Sequence, residues 1–225
     1  SIDSRKMEFF LQDTYKFKGR NHETFYTLNY GLRFSYWDYT KESLLSPRVS
    51  LGIVPAFNSD FTFRFATGLY YQTPFYKELR DTTTVNGVTV VNLNTNIKSQ
   101  KSIHAIAAMD YKFRVQDRPY KLSAEIYYKH LSDLIPYNIN NVKVVYYGEN
   151  LCTGYTAGID LKLYGEFVPG TDSWISLSYM KAQQKLNDSW IPLPTDQGFS
   201  ANLFFTDYFP GTTRWKMTLK AAYAD

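Results

Sequence analysis

FTFRFATGLYYQTPFYKELR, residues 61–80, opens on strict alternation: Phe61, Phe63, Phe65, Leu69 and Tyr71 fall on one face, Thr62, Arg64, Gly68 and Gln72 on the other. A two-residue period is that of a strand. The alternation runs for about twelve residues, whereas strands of soluble domains cluster near five or six. At about 3.3 Å per residue and a tilt of about 45°, such a strand covers the hydrocarbon thickness of a bilayer. After Gln72 the pattern breaks. Thr73 suits a helix cap, Pro74 suits the first helical position, and residues 75–80 suit a single helical turn.

The same period recurs on either side. It is read over residues 7–17, 24–37, 46–54, 102–114, 120–131, 153–167, 174–185, 195–209 and 215–223, which with the central stretch predicts about ten long antiparallel strands. Short polar turns join them on one side, Pro169-Gly170 marking one. The connections on the other side are longer. Residues 75–99 contain Asn86-Gly87 between two β-branched runs, a strong hairpin signal, and Asn140-Asn141 suits a turn between Tyr137 and Tyr147. Residues 186–194 make a further loop carrying Trp190. Long loops on one side and short turns on the other are how membrane barrels distinguish outside from inside.

Composition agrees with this reading. Aromatic residues are 18% of the chain, with Tyr 20 and Phe 16, yet the mean hydropathy is -0.37. Apolar side chains must therefore be confined to a narrow band, as in a barrel with a lipid-facing belt, aromatic girdles and a polar lumen. The competing all-β reading is a soluble sandwich with a Tyr-rich binding surface. A formal charge of only +4, without a basic run interleaved by aromatics, argues against a nucleic-acid partner. Cys152 is alone and reads as a small apolar strand residue. No run of about eighteen apolar residues offers a membrane helix. Residues 1–10 carry no leader pattern, so the chain is expected to be processed or to begin internally.

Three stretches carry a resemblance. FRFATGLYYQTPFYKELR resembles a strand and its following outer loop in the barrels of TonB-dependent outer-membrane receptors, with Gln72-Thr73-Pro74 where that family often has Arg-Ala-Pro. GLRFSYWDY followed by LLSPRVSLGIVP is similar to the family's Gly-Leu-Arg strand and Ser-Pro-Arg strand start, and YYGENLCTGYTAGIDLKLYGEF is similar to one of its late strands. The resemblance implies that residues 1–225 form the later-middle part of a larger barrel of about twenty-two strands, the N-terminal plug and the remaining strands lying outside this sequence. It implies a multi-pass protein of the Gram-negative outer membrane that takes up a scarce solute, of siderophore, oligosaccharide or peptide class. TonB would energise uptake by pulling on the plug, and a surface lipoprotein covers the mouth in some branches. An arc of ten strands also leaves two bare edges, which lipid penalises, and this too predicts a larger whole.

The chemistry expected is that of binding and transport. His130 and Asp133 lie near one strand end, while Ser102 and His104 share a face nearly 7 Å apart, too far for a nucleophile and its base. No catalytic residue, metal cluster or cofactor is assigned. Candidate ligand contacts on the outer loops are Trp37, Tyr76, Glu78, Arg80, Tyr137, Asn138, Tyr147 and Trp190, since aromatic rings stack on sugars or peptide side chains and charged groups fix polar ones. Aromatics near strand ends also serve as interfacial girdles. Arg33, Arg64, Glu125, Asp160, Lys162 and Glu166 are expected to face the lumen and to pair with one another or with the plug. The alternative to an importer is a free-standing small outer-membrane barrel, porin-like or a protease or lipase.

Overall fold

The computed structural model describes residues 4–20, 23–85, 88–140 and 143–225. The chain rises and falls through β1 (Lys6–Lys18), β2 (Phe25–Trp37), β3 (Glu42–Val54) and β4 (Phe61–Gln72). An outer excursion follows: α1 (Tyr76–Leu79), β5 (Arg80–Val85) and β6 (Val88–Leu93). The wall resumes with β7 (Gln100–Val115) and β8 (Arg118–Leu134), and a second excursion holds β9 (Tyr137–Asn140) and β10 (Lys143–Tyr146). The last elements are β11 (Cys152–Gly165), β12 (Ser173–Leu186), β13 (Ser189–Pro192), β14 (Phe199–Tyr208) and β15 (Lys216–Ala224). Ten strands form one antiparallel sheet in the order β1-β2-β3-β4-β7-β8-β11-β12-β14-β15, with β13 added onto β12. This is the barrel arc expected from the alternation. Each long strand pairs with the next one in the chain, so the wall is an up-and-down meander.

Register turns ten separate alternations into two continuous surfaces. One row across the sheet reads Phe17, Tyr26, Ile53, Phe63, Met109, Ala124, Leu161, Leu177, Ala201, Tyr223. Every member is apolar or aromatic, and this is the lipid face. The row one residue away, Lys16, Thr27, Gly52, Arg64, Ala108, Glu125, Asp160, Ser178, Ser200, is the lumen face. A slip of one residue in any strand would exchange the two. Two acids fall on the lipid face: Asp207, at the end of β14 opposite Met217, and Asp13, whose carboxylate accepts from Tyr30 Oη at 2.8 Å and from the Thr14 N–H at 2.7 Å. On the lumen face Asp110 is nearly buried. It is paired with Arg64, accepts from Ser123 Oγ at 2.7 Å, and lies 3.3 Å from Lys121 Nζ.

The structure shifts three boundaries. β3 begins at Glu42, four residues before the expected start, because 42–45 already alternate and pair with β2. Pro47 has no N–H to give, and the β3–β4 ladder stops beside it at Arg48. The 186–194 loop is instead the hairpin β12–β13, turned by Asn187 and Asp188 at φ 48° and 63°. Gln116 and Asp117, at φ 50° and 61°, turn β7 into β8 the same way. The helical turn is present, but its N-cap is Phe75 and not Thr73, because the Glu78 carboxylate accepts from the Phe75 N–H at 3.0 Å. Strands β5 and β6 pair as the 75–99 segment predicts, while Asn86-Gly87 itself lies outside the described residues. Asn141 does too, between β9 and β10.

Facing sets the expected outcome of charge insertion. Placed in the parent barrel, Ile159→Arg on the lipid face costs about 2–4 kcal/mol. Ser178→Arg, on the lumen face opposite Asp160, is near neutral. Urea unfolding in liposomes, followed by gel migration of the folded form, distinguishes the two.

Candidate functional site

The outer excursions are tied into a single packed unit. Its core is Trp37, Leu79, Ile97 and Ile135, against which Tyr39, Leu93 and Tyr146 pack. Leu79 is wholly buried and Ile97 is 2% exposed, so the short helix and the 94–99 segment are held by a small apolar core of their own. Polar staples complete it. Asn94 accepts from its neighbour Asn96 N–H at 2.9 Å and donates to the Gly148 carbonyl at 2.9 Å. The Asn150 side chain accepts from the Lys98 N–H at 2.8 Å and donates to the Lys98 and Asp133 carbonyls at 3.0 and 2.6 Å. Glu42, on the part of β3 that β4 leaves bare, takes the Ser99 N–H at 3.0 Å and its hydroxyl at 2.6 Å.

This core decides which expected contacts are available to a solute. Trp37 is buried, with Nε1 donating to Ser4 Oγ at 3.1 Å. Glu78 is 4% exposed, its two oxygens taken by the Phe75 N–H and by Gln100 Nε2 at 3.1 Å. Both are structural supports of the loop unit, which corrects their expected role as contacts. Trp190 is exposed, but β13 places it opposite Lys185 on the outward face. Its ring meets Tyr155 at 5.4 Å, and Tyr155 stacks on Tyr128. Tyr128 and Tyr155 belong to the apolar face of the wall, and Trp190 joins them in the manner of an interfacial aromatic girdle.

The remaining five lie on or beside the α1 turn and the β9–β10 hairpin. The α1 turn and the β9–β10 hairpin meet where Phe75 sets its ring edge-on to Tyr146 at 5.4 Å, and Tyr146 also touches Tyr137. Around that junction Tyr76 and Tyr147 are roughly half exposed, Asn138 is exposed, and Arg80 lies over the Tyr76 ring at 5.8 Å. Two exposed aromatics, a guanidinium braced by a ring and an amide can stack on a ring and bind its polar edge. Phe75, Tyr146 and Asn150 carry no pattern that marks them in advance as parts of this unit. The isolated Ile97 in the polar run 94–100 was the available signal for the core beneath it.

Along the lumen the expected residues are placed as follows. Arg33 pairs with Glu8 and Arg64 with Asp110, partners outside the expected group. Lys162 Nζ sits over the Trp174 ring at 4.5 Å. Glu125 and Asp160 face each other across β8 and β11, and neither has an ion pair among the described residues. Glu166 lies beyond β11, where its carboxylate accepts the Gly170 N–H and closes the inner turn. It does not line the wall. His130 and Asp133 are separated by face and by a bulge between β8 and β11, and the Asp133 carbonyl serves Asn150.

A protein-family model, described as TonB dependent receptor-like, beta-barrel, matches residues 1–225. No curated protein matches the chain.

Burial raises the Glu78 carboxyl above its ordinary value, against the opposing pull of its Phe75 and Gln100 hydrogen bonds. Such a group adds stability below the unfolded value of 4.5 and loses it as pH rises through the folded value. The loop unit of the full receptor is therefore tighter in mild acid than at neutral pH, and Glu78→Gln removes that dependence. Hydrogen exchange over residues 75–80 and 93–100 at about pH 4 and about pH 7 reads it. Asn150→Ala removes three backbone contacts at once and speeds exchange at Lys98 at both pH values.

Proposed function

Because the chain belongs to the TonB-dependent receptor β-barrel family, and so to outer-membrane receptors and transporters in general, we propose that the barrel built on this arc imports a scarce solute. In this reading its outer loops capture the solute, and TonB supplies the energy through an N-terminal plug. The observation that supports it is the loop unit: a buried core and stapled backbones underlie the elements that carry Tyr76, Arg80, Tyr137, Asn138 and Tyr147. A surface ordered before the solute arrives loses little conformational freedom on binding it. Siderophore, oligosaccharide and peptide classes all offer the rings and polar edges it suits. The exposed side chains of Ile139 and Val144, opposite each other on the β9–β10 hairpin, are where a covering lipoprotein would rest.

The test is growth of a strain carrying the full receptor as its sole route for a limiting nutrient, screened across these classes. Growth on the cognate nutrient is lost when TonB is deleted. Tyr147→Ala or Arg80→Ala weakens surface binding of that nutrient by about tenfold, whereas Trp190→Ala leaves it unchanged. Growth that survives loss of TonB overturns the proposal.

A further inference from the structure

One lumen-facing row across β3, β4, β7 and β8 reads Arg48, Gly68, His104, Lys129. With strands about 4.8 Å apart it is about 14 Å long. Glycine at the second place leaves room that a side chain would close: a Cβ on Gly68 would lie 3.0 Å from the Tyr70 ring and 3.2 Å from Arg48 Cγ. Tyr70 occupies that room. Arg48 Cζ sits 4.6 Å from its ring centroid, and the His104 ring stacks on it at 4.3 Å. Farther along, Lys129 Nζ lies 5.4 Å from the Tyr127 ring centroid.

The cations of this row are braced by aromatic rings, as Lys162 is by Trp174. Arg33 and Arg64 each have a carboxylate; Arg48 and Lys129 have none among the described residues. The adjoining lumen positions on β4, β7 and β8 are Tyr70, Ser102 and Leu131 above and Ala66, Ile106 and Tyr127 below, with no acid among them. Glu125 lies four residues down β8, about 13 Å away along the strand. Ser102 Oγ, one place above His104, is buried without a hydrogen-bond partner. Beside Arg48 and Tyr70 a cleft of about 220 Å³ runs toward β1, lined also by Gln12, Asn29 and Ser50.

We propose that this row recognises oxyanions: it takes an elongated solute bearing two or more carboxylates or comparable groups as that solute passes along the wall. The inference rests on the import reading above and names its substrate class. Tyr70 braces the Arg48 guanidinium, so its fork meets an oxyanion without first being ordered. A single carboxylate spans a small part of the row. Several, spaced along one molecule, engage Arg48, His104 and Lys129 together, with the amides of the cleft at hand for its hydroxyl or amide groups.

The test uses the full-length receptor in nanodiscs, with trigalacturonate as the polyanionic probe and maltotriose as its uncharged counterpart. Trigalacturonate binds at least about tenfold more tightly at low salt, and the preference shrinks as ionic strength rises. Arg48→Gln with Lys129→Gln abolishes most of it, Arg48→Lys keeps part of it, and Gly68→Val, which displaces Tyr70, weakens it without changing charge. Equal binding of the two sugars overturns the proposal, as does an unchanged preference in the double variant. A double variant that unfolds at lower urea while keeping its preference assigns the row to a carboxylate of the plug, and this too overturns it. TonB-dependent growth without any charge preference sinks the oxyanion row alone, whereas TonB-independent growth sinks the import reading.

Discussion

Hydrocarbon offers no hydrogen bonds, so each peptide group within it must find its partner in the protein. The ten-strand ladder is the answer this chain gives, and the rest follows from its register. Once Phe65 is fixed opposite Leu51 and Ala107, Arg64 is fixed opposite Gly52 and Ala108. Lipid then accepts one face and water the other. The polar face is where the charged residues find partners, as Asp110 does with Arg64, Lys121 and Ser123. The wall is thus both a seal and a scaffold. Its upper ends fix the points from which the loop unit is hung.

Where the ladder is locally incomplete, the loops take over its bonding groups. Pro47 ends pairing between β3 and β4, and Glu42 above it receives Ser99 from the far end of the first excursion. The bulge between β8 and β11 leaves the Asp133 carbonyl to Asn150. Above Tyr179, β12 leaves β14 and pairs with β13, while the Ala182 N–H donates to Asp196 at 2.6 Å. Irregularities of the sheet and anchor points of the outer surface coincide.

Period two made the wall legible in the sequence. Side chains that alternate over a dozen residues have few other ways to satisfy lipid and water at once, and Phe61–Gln72 was readable to its last residue. The loops obey no such period. Trp37 and Glu78 have the composition of contacts, yet both are buried, Trp37 in a core with Leu79 and Ile97 that joins residues dozens of positions apart. Trp190 was read as part of an open loop, because the two-residue turn at Asn187-Asp188 that pairs its strand with β12 has no apolar period to mark it. Arg48 and Lys129 are unremarkable in separate strands. Only the register that lines them up with His104 makes them one feature.

Each excursion leaves the wall through a buried proline, Pro74 before α1 and Pro136 before β9. A pyrrolidine ring fixes φ and leaves little torsional slack at the point of departure. With Asn150 joining the backbones at Lys98 and Asp133, the two excursions share one foundation and cannot unravel strand by strand. Loosening one excursion therefore disturbs the other, since both are tied to the crest of β7 and β8 through the same amide.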